Sequence, residues 1–270
     1  MKGNLIDLSI PKVMGIINAT PDSFYDGGKN IDIEKAVLGV EKMLEQNADF
    51  IDIGGYSTKP NAKEVSIDEE RRRVIPLIKT LIRKFPEIVI SIDTFRSEIA
   101  YEAIEEGASI INDVSGGILD EKMFETVAKL KVPYILMHMR GTPTSMQGLT
   151  QYEHLIKDVI FELSRKVERL RSLQVNDIII DPGFGFAKTL EQNYELLNNL
   201  SYFEELECPL LIGISRKSMI YKILGSDAAN ALNGTTALNM AALLRGANIL
   251  RVHDVKEAVD TVKLFNQLKN

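Results

Sequence analysis

The sequence predicts an α/β protein folded as a single (β/α)8 barrel, and three observations carry that prediction. Short β-branched runs alternate, eight times over, with longer stretches whose apolar residues recur every three or four positions. The runs are apolar almost throughout, the mark of parallel strands covered by helices on both faces. The chain has 270 residues, close to the roughly 250 that one such barrel commonly takes, so a single domain over 1–270 is expected.

The first strand is read at Lys12–Asn18, before a helical pattern over Ile33–Gln46. The second, Phe50–Gly54, precedes Asp68–Lys84, and the third, Ile88–Asp93, precedes Ser97–Glu106. Strands four and five are Ser109–Asp113 and Pro133–His138, the latter followed by a long helix over Tyr152–Leu173. Strands six, seven and eight are Asp177–Asp181, Pro209–Ser215 and Asn248–His253, with helices over Thr235–Arg245 and Val255–Leu268. Met1–Pro11 reads as an extension closing the lower end. An open dinucleotide-binding sheet would want a glycine fingerprint after its first strand, and Asn18-Ala19-Thr20-Pro21 is not one.

Composition narrows the function classes. With 45% hydrophobic and 26% charged residues the chain can build a full core, which excludes disorder. A net charge of −6 without any basic run argues against nucleic-acid or membrane-surface partners, so an anionic ligand would need locally placed cations. The single cysteine, Cys208, suits a reducing compartment and reads as a small buried hydrophobe. No segment has the pattern of a signal peptide or a membrane span, and a cytoplasmic protein is expected.

Every strand hands over to a polar or glycine end: Asn18, Gly54, Asp93, Asn112, His138, Asp181, Ser215, and Arg251 with His253. In a barrel these ends converge on one mouth, where active sites sit. Taken singly, Asp93, Asn112 and Asp181 also read as turn or helix-cap residues, and His138 as a satisfied core histidine. Arg216 and Lys217 are harder to place, because cations at a helix start oppose the dipole by about 0.3 to 1 kcal/mol each. A ligand bearing negative charge or a carbonyl would hold them there. The "GGYSTKP" segment offers Ser57, Thr58 and Lys59 in an anion-binding type of turn, and "PGFGFAK" offers Phe184 and Phe186 for stacking among glycines.

The segments "GIINATPDSFYDGG", "ADFIDIGGYSTKP", "SIDTFR", "INDVSGG", "LMHMRGTP", "DPGFGFAKT", "GISRKS" and "LRVHDV" together resemble the dihydropteroate synthase family over Lys12 to about Lys263. That resemblance implies a TIM-barrel transferase that condenses 6-hydroxymethyl-7,8-dihydropterin diphosphate with 4-aminobenzoate. Residues matching the family's pterin contacts are Asp93, Asn112, Met137, Asp181, Phe186 and Lys217. Those matching its diphosphate site are Asn18, Ser57, Thr58, Arg251 and His253, with Asn18 as the matching contact for Mg2+. The aminobenzoate site would comprise Phe24, Thr58, Pro60, Phe186 and Ser218. Catalytic roles would fall to Asp93, Lys217, Arg251 and His253, with Asn18–Gly28 as a lid. A homodimer is implied too.

The chain departs from the family's usual "ESTRP" by carrying Tyr56 for the acid and Lys59 for the arginine. Lys lacks the planar fork of Arg, which bears on the aminobenzoate pocket and on sulfonamide sensitivity. A pterin-binding methyltransferase of the corrinoid type shares the barrel, but the "TPDSF" loop and the Arg251-Val252-His253 end favour the synthase. A non-catalytic pterin binder would have lost some of these side chains, and every matched position is filled.

Overall fold

The computed structural model describes residues 5–19, 33–56, 65–142 and 145–268. Eight parallel strands are present: β1 Lys12–Asn18, β2 Phe50–Gly54, β3 Ile90–Asp93, β4 Ile110–Asp113, β5 Tyr134–Met137, β6 Ile178–Asp181, β7 Leu211–Ile212 and β8 Ile249–Val252. They form one sheet in the order β6-β5-β4-β3-β2-β1-β8-β7, and a parallel bridge from Ile180 to Leu210 joins its two edges. The expected barrel is therefore present.

Nine α-helices are described: α1 Ile33–Glu45, α2 Ile67–Lys84, α3 Ser97–Glu105, α4 Met123–Leu130, α5 Leu155–Ser172, α6 Leu190–Asn198, the four-residue α7 Ser218–Tyr221, α8 Leu232–Leu243 and α9 Val255–Leu268. Helix α2 starts where the Ser66 hydroxyl accepts from the Glu69 N–H, and α6 starts in a capping box made by Thr189 and Gln192. None of these is long and apolar enough to cross a membrane.

Strand seven is much shorter than the expected Pro209–Ser215. Pro209 has no N–H for a ladder, and β7 meets β6 through a single bridge, so regular pairing is limited to Leu211 and Ile212 on the β8 side.

Two cores result from strand alternation. Outward-facing residues such as Ile51, Ile53, Ile111, Leu136 and Leu250 join the helices in the large outer core. Inward-facing Met14, Phe50, Ile110, Ile135, Ile179, Leu211 and Ile249 meet inside the barrel. Full burial of side chains this size stabilises by about 1.5 to 3 kcal/mol each, so this layer is a packed floor and not a pore. Ile6 and Leu8 pack beneath it, and Asn248 Nδ2 donates to the Leu8 carbonyl at 3.1 Å, as expected of a segment closing the lower end.

Candidate active site

Two residues beyond the floor, the inward positions turn polar. Strand β2 supplies Asp52, β3 Ser91, β4 Asn112, β6 Asp181 and β8 Arg251, while β5 keeps an apolar Met137. Asp93 follows one pleat higher on β3. Five strands thus place charged, amide and hydroxyl groups above an apolar base.

Arg251 is the hub. Its Nε donates to Asp52 Oδ2 at 2.6 Å and its Nη2 to Asp93 Oδ2 at 2.5 Å. Asn112 Nδ2 donates to the same Asp52 oxygen at 3.0 Å. Asp52 is fully buried, and a charge so placed persists only when paired. Burial pushes the Asp93 carboxyl up to about 7 despite the Arg251 guanidinium, with Asp52 adding like-charge repulsion. Asp52 Oδ1 and Ser91 Oγ, at paired register positions of β2 and β3, are buried without a hydrogen bond among the described residues.

Across the barrel, Asp181 Oδ1 accepts the Gly183 N–H at 2.8 Å. Burial raises its carboxyl above the usual range, opposed first by the Lys217 ammonium and then by the Gly183 N–H and Arg251. Lys217 donates to the Phe184 carbonyl and sits 4.7 Å from the centre of the Phe186 ring. Burial lowers its ammonium to about 8, with Asp181 pulling the other way. Gly185 stands at φ +78°, a conformation that favours glycine, with the Lys217 stem in ordinary contact beside it. Met137 and Phe186 share a small apolar cluster with Val114, Met139, Met146 and Ala187.

The structure therefore gathers Asp93, Asn112, Met137, Asp181, Phe186, Lys217 and Arg251 around one interior space. Asn18 ends β1 next to Gly54, half-buried, and His253 leaves β8 with its Nδ1 3.0 Å from Ser215 Oγ. Ser218 opens α7, also half-buried. Phe24, Ser57, Thr58, Lys59 and Pro60, with most of the expected lid, lie outside the described residues.

Two expectations need correction. His138 is not at the mouth: alternation along β5 turns it outward, where Glu162 and Lys188 occupy its two ring nitrogens. Arg216 needs no ligand to hold it. It has φ +56°, grips both oxygens of Asp254 at 2.8 Å through Nε and Nη2, and donates to the carbonyls of Ala228 and Ala229. It locks the β7 loop against the start of α9. Arg216→Ala is expected to cost about 2 kcal/mol, lowering Tm by about 5 °C in calorimetry; an unchanged Tm would contradict that role.

Asp52 stands neither at a strand end nor in a loop motif, the places where the sequence marks chemistry. An acid alternating with Phe50 and Gly54 inside an apolar strand was the available signal. Tyr56 packs edge-on against Phe95 at 5.2 Å with the Arg96 guanidinium beside it, while Arg96 pairs with buried Glu70.

Comparison with known proteins agrees with this geometry. The family described as "pterin binding enzyme" matches residues 14–253. A Haemophilus influenzae protein named dihydropteroate synthase is 41% identical over 267 residues, covering 98% of this chain and 96% of the relative. A Yersinia pestis dihydropteroate synthase crystallised with a sulfonamide drug superposes with a TM-score of 0.93 at 40% identity, covering 99% of this chain and 98% of that one. The Xanthomonas albilineans enzyme in complex with 7,8-dihydropteroate gives 0.88 at 35% identity, over 99% and 97% of the two chains. Full-length identity of this degree, on the same barrel and with the polar layer in place, makes this chain a member of the pterin-binding enzymes, in the dihydropteroate synthase family.

Proposed function

We propose that the polar layer binds the pterin and that the chain carries out its family's transfer: 6-hydroxymethyl-7,8-dihydropterin diphosphate and 4-aminobenzoate give 7,8-dihydropteroate and pyrophosphate. The observation that carries the site assignment is the sharp change, within one pleat, from an apolar floor to Asp52, Asn112, Asp181 and Arg251, with Lys217 reaching in from the β7 loop. Asp181 can accept two N–H groups from an aminopyrimidinone edge, Asn112 can read the adjacent ring nitrogen, and Lys217 can donate to the ring carbonyl. Met137 and Phe186 supply the apolar walls that a flat ring needs.

The diphosphate would lie above the pterin, against Arg251, His253, Asn18 and the hydroxyls of Ser57 and Thr58. Phe24, Thr58, Pro60, Phe186 and Ser218 would frame the aminobenzoate. In the reaction the methylene C–O bond breaks with its electron pair leaving on the diphosphate, and the arylamine nitrogen then forms the new C–N bond and sheds a proton. Positive charge on the methylene spreads into the ring, and ionised Asp93 stabilises it. Diphosphate arrival draws Arg251 toward the leaving group, which frees Asp93 from its partner as the cation develops. No nucleophilic side chain is required.

Mg2+ fits this donor set through Asn18. Among the described residues no three His, Cys, Asp or Glu side chains stand where they could hold an ion, so Asn18 would give one amide oxygen and phosphate oxygens and water the rest. When bound there, Mg2+ would neutralise charge on the departing diphosphate. We also keep the cytoplasm as the location, on the single cysteine, and a homodimer as the assembly. Phe161 and Tyr202, 62% and 60% exposed, border a groove between α5 and the segment Leu200–Leu206 on which a second copy could seat.

The direct test combines the protein with both substrates and Mg2+ and measures pyrophosphate; pterin binding without release would refute the transfer. The Asp93 value adds a signed pH prediction. Since the ionised form is needed, kcat/KM should fall about tenfold per pH unit below about 7, and Asp93→Asn should be weak and flat through that range. A profile level down to pH 5 in the wild type would remove Asp93 from the chemistry.

A further inference from the structure

A second charged group lies behind the pocket wall, outside the barrel, and the chemistry above does not use it. Glu162 of α5 receives His138 Nε2 at 3.0 Å on one oxygen and Arg140 Nε at 3.0 Å on the other. Burial works to raise its carboxyl, but these donors prevail and bring it to about 2, so Glu162 is an ionised acceptor. His138 is therefore the donor at Nε2. Burial lowers its imidazole to about 4, so its Nδ1 carries a lone pair. That lone pair faces Lys188 Nζ at 3.1 Å.

Lys188 has its other two contacts on the carbonyls of Gly183 at 3.0 Å and Phe186 at 3.1 Å; burial lowers its ammonium to about 7, with Asp181 opposing, and in the protonated form all three N–H groups have acceptors. The Tyr152 hydroxyl, beneath Arg140, takes the next carbonyl, that of Ala187, at 3.0 Å. This β6 loop would not hold its shape unaided. Gly183 has φ +74° and packs so closely on β5 that a Cβ there would collide with the His138 carbonyl oxygen. Ala187 is a non-glycine residue at φ +49°, a conformation that costs about 1 kcal/mol or more. The inner face of the same loop supplies the Phe184 carbonyl and the Phe186 ring that fix Lys217, and the Gly183 N–H that fixes Asp181.

We propose that Lys188 is a positioning residue for the pterin pocket: held by His138 and Glu162, its amine clamps the Gly183 and Phe186 carbonyls and so sets the loop that aims Lys217 and Asp181. The proposal rests on the site reading above and extends it to residues that touch no substrate. It also accounts for the burial of His138 and Lys188 behind the pocket wall.

The test compares wild type, Lys188→Met and Lys188→Gln. Calorimetry measures the Kd of 6-hydroxymethylpterin per folded molecule, and hydrogen exchange follows the amides of residues 182–188. Lys188→Met should weaken pterin binding about tenfold and speed loop exchange by a similar factor, since two buried carbonyls lose their donor. Lys188→Gln, which keeps two N–H groups, should recover most of both. A lowered Tm with Kd within twofold of wild type would mean a purely structural role and overturns the proposal, as does unchanged exchange in the loop. If Lys188→Met does not fold, His138→Leu decides: about threefold weaker binding with faster loop exchange supports the clamp, and no change in either rejects it. Wild type that binds no pterin would refute the site reading instead, while the exchange comparison still judges the clamp.

Discussion

Lys217→Ala is expected to lower kcat/KM for the pterin diphosphate about a hundredfold and to weaken binding of free pterin by a comparable factor. The ammonium is aimed by the Phe184 carbonyl and the Phe186 face, both outside solvent, so its bond to a ring carbonyl would be charge-assisted and desolvated. Losing such a bond costs about 3 kcal/mol, which is the hundredfold. A second effect has the same sign. Lys217 is the cation that most opposes the rise of the Asp181 carboxyl, and without it Asp181 protonates more readily and accepts fewer N–H groups. Because both effects act on the bound ground state, KM and Kd should move together. Lys217→Arg should not rescue, since a planar guanidinium fork does not reproduce the donors of a compact ammonium held on the Phe184 carbonyl. Turnover and pterin Kd within twofold of wild type would remove Lys217 from the site.

The barrel was legible because its signal is repeated eight times and each strand is apolar on both faces, which periodicity detects without any knowledge of partners. Helix α4, with eight residues, gives barely two turns of a 3.6 period, whereas α6 is as long as the legible α3 and is not hidden by its length. The Thr189-x-x-Gln192 capping box was the local cue for α6. The candidate site was legible where polar residues sit at strand ends, as with Asp93, Asn112, Asp181 and Arg251, and hidden where it depends on which way a residue points. His138 and Met137 are neighbours in the chain, yet the pleat sends one to the helices and the other to the pocket. Asp52 and Lys188 were hidden for the converse reason: their roles lie in partners 199 and 50 residues away, Arg251 and His138, which no local pattern encodes.

Arg251 is where these lines meet, and its removal should act on three quantities at once. Arg251→Ala strips the counter-ion from Asp52 and Asp93 together, and leaving buried carboxylates unpaired costs about 3 to 5 kcal/mol of stability, read as a lower urea midpoint. Arg251→Gln retains an N–H pair for the two acids and should fold, so it is the variant for function. Its kcat/KM for the diphosphate substrate should fall about a hundredfold, while free pterin, which has no phosphate for a guanidinium to hold, should bind within about threefold of wild type. The third change discriminates best. With the positive charge gone, the Asp93 carboxyl climbs above about 7, and the acid limb of kcat/KM should move to higher pH with it. Loss of free pterin binding equal to the loss with diphosphate substrate would contradict an anion role for Arg251. An acid limb that stays in place would show that the guanidinium and Asp93 do not share charge in the free enzyme, against the 2.5 Å contact between them.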